Sequence, residues 1–219
     1  AALPLVGIQL FVQRSSATIA QDNATQWSPS VLLRDRALMW FTLSGLLASF
    51  VGGSFASCIS QYVLVVADSD FAEKVVAVVL PVNAAVVVAL QYAVGRRLSA
   101  RNIRPLMTFG TFCFVLGLGG FIVSDSSLLL WGLSAAVFTL GEVIYAPGEY
   151  MLIDNIAPAG MKASYFSAQS LGWLGAAFNP MITGSILTHM PHWSLFVVLM
   201  LAIIVAWLMI FRGMKIRPW

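Results

Sequence analysis

Apolar residues in this chain run in long unbroken blocks, with neither the alternation of a half-buried strand nor the one-sided stripe of a soluble amphipathic helix. Six blocks, at 37–66, 73–94, 105–123, 128–153, 164–187 and 194–211, reach or exceed the ~17 to 25 residues that carry a helix across a ~30 Å hydrocarbon layer. The two longest have length to spare for tilting or for emerging from the bilayer. The pattern predicts an all-α membrane protein with six transmembrane helices. A shorter apolar run ending at Val12 spans only about 18 Å at the ~1.5 Å helical rise. Residues 1–12 are therefore expected to end a preceding helix, which makes the chain the second part of a longer protein. No basic leader stands ahead of them, so they do not read as a signal peptide. Residues 13–36, with Arg14, Asp22, Arg34 and the turn-prone Ser28-Pro29, read as a solvated linker. The six-helix bundle is expected over 37–211 and a short tail over 212–219.

Composition removes the soluble alternatives. Charged residues make up 10% of the chain, against roughly 25% in soluble domains, and hydrophobic residues 59%, more than one soluble core can enclose. The net charge of +3 does not point to nucleic acid, because the basic residues sit in short loops between the blocks. Arg14, Arg34 and Arg36 precede the first block, and Arg96, Arg97, Arg101 and Arg104 lie between the second and third. Lys162 follows the fourth, and Arg212, Lys215 and Arg217 follow the sixth. The alternate loops hold Asp68, Asp70, Glu73 and Asp125, with Lys74 as their single base. If every block crosses, the basic side is the cytoplasm. The linker and both ends of the segment then face it, and the expected location is a bacterial inner membrane, with lipid as the surrounding partner.

One acidic residue stands out. Glu142 lies fourteen residues into its block, about 21 Å along a helix, well inside the hydrocarbon. A carboxyl there is costly, should face a bundle interior or a wet cavity, and is what proton-coupled transport needs; the alternative is a structural carboxyl paired with another helix. Trp131, Phe138, Glu142, Tyr145 and Glu149 fall on one helical face, which is expected to line a pathway. Glu149 is either a gate or a solvated helix-end acid. Between the two acids, Pro147-Gly148 removes a backbone donor and predicts a break. In the second block Asn83 and Gln91 share a face behind Pro81, available to a substrate or to a neighbouring helix.

Small residues form stripes in two other blocks. Gly45, Ser49, Gly53, Ser57 and Gln61 recur every four residues in the first, and Ala168, Gly172, Gly175 and Asn179 line the fifth. Both allow close helix packing, the first of them across an interface with an absent half. Gln61 is a candidate substrate contact at the far end, Asn179-Pro180 a kink, and Trp173 either a binding platform or a packing aromatic. Cys58 and Cys113 read as packing residues. His189 and His192 flank Pro191 with no further ligand nearby, so no metal site is expected. No nucleophile triad, phosphate loop or dinucleotide fingerprint is present, so neither an enzyme nor a cofactor is expected.

With these residues in view, the chain resembles the carboxyl-terminal half of a major facilitator superfamily transporter, a fold of two six-helix bundles. The stretches Gly141-Glu142-Val143-Ile144-Tyr145-Ala146-Pro147-Gly148-Glu149-Tyr150 and Ala163-Ser164-Tyr165-Phe166-Ser167-Ala168-Gln169-Ser170-Leu171-Gly172 are similar to an enterobacterial inner-membrane exporter associated with dipeptide and sugar efflux. Glu142 followed by Pro147 is also similar to the tenth helix of proton-dependent oligopeptide transporters, where the acid recognises a peptide amino terminus. The superfamily's loop motif is matched only at its end, by Gly95-Arg96-Arg97. Val88 and Tyr92 stand where its first glycine and its aspartate belong, which puts that aspartate's gating contact in doubt. The resemblance implies a proton-coupled antiporter that exports small molecules such as dipeptides or sugars by alternating access, completed by an amino-terminal half. Broad drug efflux and a non-transporting scaffold or receptor remain alternatives.

Overall fold

The computed structural model describes residues 33–217. The expected helix end at 1–12, most of the 13–36 linker and the last two residues of the tail lie outside it. Among the described residues the chain is helical between short turns: α1 (Arg36–Val66), α2 (Ser69–Arg97), α3 (Ile103–Val123), α4 (Leu128–Ile156), α5 (Lys162–Gln169), a 3-10 turn (Ser170–Trp173), α6 (Leu174–His189) and α7 (Ser194–Ile216). Five helices are long and apolar enough to cross a membrane, those beginning at Arg36, Ser69, Ile103, Leu128 and Ser194.

The block at 164–187, expected as one span, is built from three pieces. Ser170 donates from its hydroxyl to the Ser167 carbonyl at 2.6 Å, an alternative to regular helix bonding, and Gly172 and Gly175 add weak helix propensity. At the other end of the bundle's chain, α7 continues through Arg212 and Lys215 to Ile216, past the expected boundary at 211. Cations in a last turn suit the negative end of the helix dipole.

Helix starts follow local chemistry. Asp35 Oδ1 accepts from the Ala37 and Leu38 amides, Asp68 from Phe71 and Ser127 from Leu130, each capping one helix. Asp35 also gathers other elements. Its Oδ2 accepts from the Tyr165 hydroxyl at 2.7 Å and pairs with Arg217 at 3.2 Å, and Arg217 in turn donates to the Ile156 carbonyl. One buried carboxylate thus ties the start of α1 to α5 and the ends of α4 and α7. We call this, with Arg96, Arg97 and Lys162, the basic end; the turns after α1 and α3, with Asp68 and Asp125, form the acidic end.

The bundle interior toward the acidic end is aromatic. Phe121 packs against Trp131 with ring centroids 5.4 Å apart, Phe138 against Phe55 at 5.1 Å and Phe114 at 4.8 Å, and Tyr62 edge-on against Phe196 at 4.6 Å. The stripes of small residues pair with each other inside this bundle. A methyl on Gly53 would sit 2.8 Å from Ala176 Cβ, and one on Gly175 would overlap the Leu46 carbonyl oxygen. Where the stripes end, Asn179 donates to the Phe50 carbonyl at 2.7 Å and its Oδ1 accepts from Ser57 and Cys58. Helix α2 is the least enclosed: its fully buried residues are Ala72, Val75 and Val79, all in its acidic-end half.

Candidate functional site

Toward the basic end α1, α4, α5 and the 3-10 turn part around a cavity of about 320 Å³. Helix α4 supplies Glu142, Tyr145, Ala146, Glu149 and Tyr150. Phe166 and Gln169 come from α5, Trp173 from the 3-10 turn, Phe114 from α3, and Ser49, Gly52 and Gly53 from α1. Of these glycines Gly53 lets Ala176 of α6 come against the α1 backbone, whereas a methyl on Gly52 would meet no atom within 4 Å. Among the described residues that line the cavity two are carboxylic acids and none is basic. Neither acid forms an ion pair among the described residues.

The two acids have different surroundings. Asn83 Nδ2 donates to Glu142 Oε2 at 2.9 Å and to Thr139 Oγ1 at 3.0 Å, while the Thr139 hydroxyl donates to the Ala135 carbonyl at 2.7 Å. Glu142 is thereby held between α4 and α2. Glu149 Oε1 is buried with no hydrogen-bond partner, and so is Gln169 Oε1 opposite it. The two side chains converge over Gly45, where a methyl would come 2.5 Å from Gln169 Nε2 and 3.6 Å from Glu149 Oε2. An oriented carboxyl and a carboxamide, each with an idle acceptor, face one apolar-walled space.

The structure divides the α4 face. Glu142, Tyr145 and Glu149 reach the cavity, and Tyr145 is fixed by its hydroxyl, 2.6 Å from Thr111 Oγ1. Trp131 and Phe138, on the same face nearer the acidic end, are enclosed in the aromatic core at 2% and 0% exposure. Aromatic residues of α1, α3 and α7 pack around them at that depth. Trp173 stands 64% exposed on the cavity rim. Asn83 reaches the site only through Glu142. Asn179 is fully buried in the α1–α6 seam, Gln61 lies outside the cavity lining and has an unpartnered Oε1, and Gln91 is exposed on α2. Gly95, Arg96 and Arg97 lie at the exposed end of α2, with the Arg96 guanidinium 5.5 Å above the Tyr92 ring. Helix α4 runs through Pro147 and Gly148 as one helix; Gly148 serves close packing, since a methyl there would press within 2.5 Å of Met107 Sδ. The interruption falls at Ser170–Trp173 instead. Sequence reasoning passed over Thr139, Tyr150 and Phe166. Thr139 was readable, three residues ahead of Glu142 on the same face.

Fold and cavity define a multi-pass helical membrane protein with an acidic cavity inside its bundle. Compared with known proteins, the chain is 68% identical over 218 residues, all of its own length, to an uncharacterized MFS-type transporter of Escherichia coli (strain K12), YdeE. It is 28% identical over 142 residues, 63% of the chain, to an uncharacterized MFS-type transporter of Bacillus subtilis (strain 168), YqjV. These likenesses place the chain in the major facilitator superfamily. It spans 55% of the length of the first relative and the matched part is 33% of the second. No family profile and no solved structure matches it.

Proposed function

We propose that this chain forms one half of a proton-coupled exporter in the inner membrane, with its basic end in the cytoplasm. Small polar or amphipathic molecules, dipeptides or sugars among them, move through a cavity that opens to the two sides of the membrane alternately as the two halves rock around it. The observation that carries the reading is the acidic cavity itself: two carboxyl groups within an apolar bundle, with no base beside them among the described residues. Such groups are costly in a membrane and mark pathways for ions and protons. Glu142 takes the proton. Its hydrogen bond from Asn83 couples that step to a second helix, so a change of charge alters a contact between α4 and α2. Substrate enters beside Glu149, Tyr145 and Trp173, and the Gly95-Arg96-Arg97 turn rests against lipid headgroups or a helix end.

The test is export by the full-length protein in proteoliposomes with an imposed proton gradient. Glu142→Gln should abolish gradient-driven export while leaving downhill counterflow. Intact gradient-driven flux in that variant removes Glu142 from the mechanism. A second reading, broad drug efflux, is favoured by the ring-rich lining of Phe114, Tyr145, Tyr150, Phe166 and Trp173. A resistance panel of toxic lipophilic cations against dipeptides in an overexpressing strain separates the two.

A further inference from the structure

The acid that proton coupling at Glu142 does not use is the better placed to hold a ligand. Glu142 already accepts a hydrogen bond from Asn83, whereas Glu149 Oε1 and Gln169 Oε1 are both buried and accept none. Gln169 lines the cavity and is only 8% exposed, and an orphaned buried acceptor of this kind is costly unless something donates to it. Both side chains close over the bare backbone of Gly45, and Tyr150, Phe166 and Trp173 line the adjoining wall. A group that satisfies this corner carries at least two N–H donors, bears positive charge to match the carboxylate, and is attached to an apolar body that rests on the rings.

We propose that the Glu149–Gln169 corner is a binding subsite for a primary ammonium group on a small amphipathic molecule. The inference rests on the cavity being the transport site and deepens that reading by naming the substrate class. One N–H donates to Glu149 and another to Gln169, with the aromatic residues taking the apolar remainder. Neutral sugars and anions bring no ammonium group to this corner.

Equilibrium binding to the purified full-length protein, with no proton gradient imposed, tests the subsite apart from coupling. The probes are phenethylamine, its N,N,N-trimethyl derivative, which keeps the charge but has no N–H, and the neutral 2-phenylethanol. Phenethylamine should bind at least tenfold more tightly than either of the others. Glu149→Gln and Gln169→Leu should each weaken it about tenfold or more, and Gly45→Ala, which pushes Gln169 aside, should weaken it with the thermal midpoint monitored to confirm folding. Gly184→Ala, where a methyl meets no atom within 4 Å, is the unaffected control. Equal binding of the trimethyl derivative, undiminished binding in Glu149→Gln, or no measurable binding of phenethylamine overturns the proposal. Loss of coupling in Glu142→Gln with phenethylamine recognition by Glu149 disproved, or the reverse, shows which of the two readings has failed.

Discussion

Replacing Gly175 by alanine puts the seam between α1 and α6 to a direct test. The added methyl would overlap the Leu46 carbonyl oxygen and lie 2.9 Å from the Phe50 amide nitrogen, both of them backbone atoms that cannot rotate away. The helices must separate, and overpacking of this kind costs about 1 to 3 kcal/mol, with a backbone obstacle setting the upper part of that range. At roughly 2 to 4 °C of melting temperature per kcal/mol for a folded unit of 150 to 250 residues, a cost near 3 kcal/mol lowers the midpoint by about 6 to 12 °C. Gly184 on the same helix is the internal comparison. A methyl there meets open space, and the better helix propensity of alanine leaves the midpoint unchanged or slightly raised. A thiol-reactive dye reports unfolding in detergent, because Cys58 and Cys113 are 1% and 3% exposed. If Gly175→Ala and Gly184→Ala melt together, the small-residue seam does not hold these helices and the packing argument fails.

Four further outcomes follow from the same structure. Asp35→Ala removes a helix cap, the partner of Tyr165 and the partner of Arg217 together, and should destabilise by about 2 to 4 kcal/mol in the same melt, with Asp35→Asn intermediate. Tyr145→Phe loses the hydrogen bond with Thr111, but Thr111 keeps its bond to the Met107 carbonyl, so the cost should stay near 1 kcal/mol; a larger loss would mean the hydroxyl has another partner. Phe121→Ala, in the aromatic core, should cost about 3 to 5 kcal/mol, whereas Phe112→Ala, 56% exposed on the same helix, should cost less than about 1 kcal/mol. Asn83→Leu leaves Glu142 and Thr139 without their shared donor. It should impair gradient-driven export more than it lowers the melting temperature, and a purely thermal defect would count against the coupling role.

Sequence reasoning reached the class of fold because its signal is additive: block length, low charge and the one-sided basic loops all sum over many residues. It also placed the first small-residue stripe on its helix, α1, and yet assigned that stripe to an interface with another half. The structure pairs that stripe with Gly172 and Ala176 of the same bundle. Periodicity tells which face is smooth but carries no information about what lies against it. The same reason split the α4 face, since Trp131 and Glu142 share a helical face while the aromatic residues packed on Trp131, Tyr62 of α1 and Phe121 of α3, belong to other helices. The interruption was expected at Pro147-Gly148 and occurs at Ser170–Trp173, because a proline costs one hydrogen bond and neighbouring helices can hold the backbone straight through it. Gln169 stood out in the sequence only as part of the stretch that resembles an exporter; its importance comes from a missing partner, which no linear pattern reveals.

The uneven anchoring of α2 has a mechanical consequence. It is clamped near Ala72, Val75 and Val79, and beyond them its side chains are at most partly enclosed until the turn before α3. Asn83 lies just past the clamp, and its grip on Glu142 is the first tether on the looser arm. That contact lies close to the buried end of α2, with about four turns of less enclosed helix beyond it to Arg97. A helix buried at one end and tied by a single side chain just past it is held unevenly along its length.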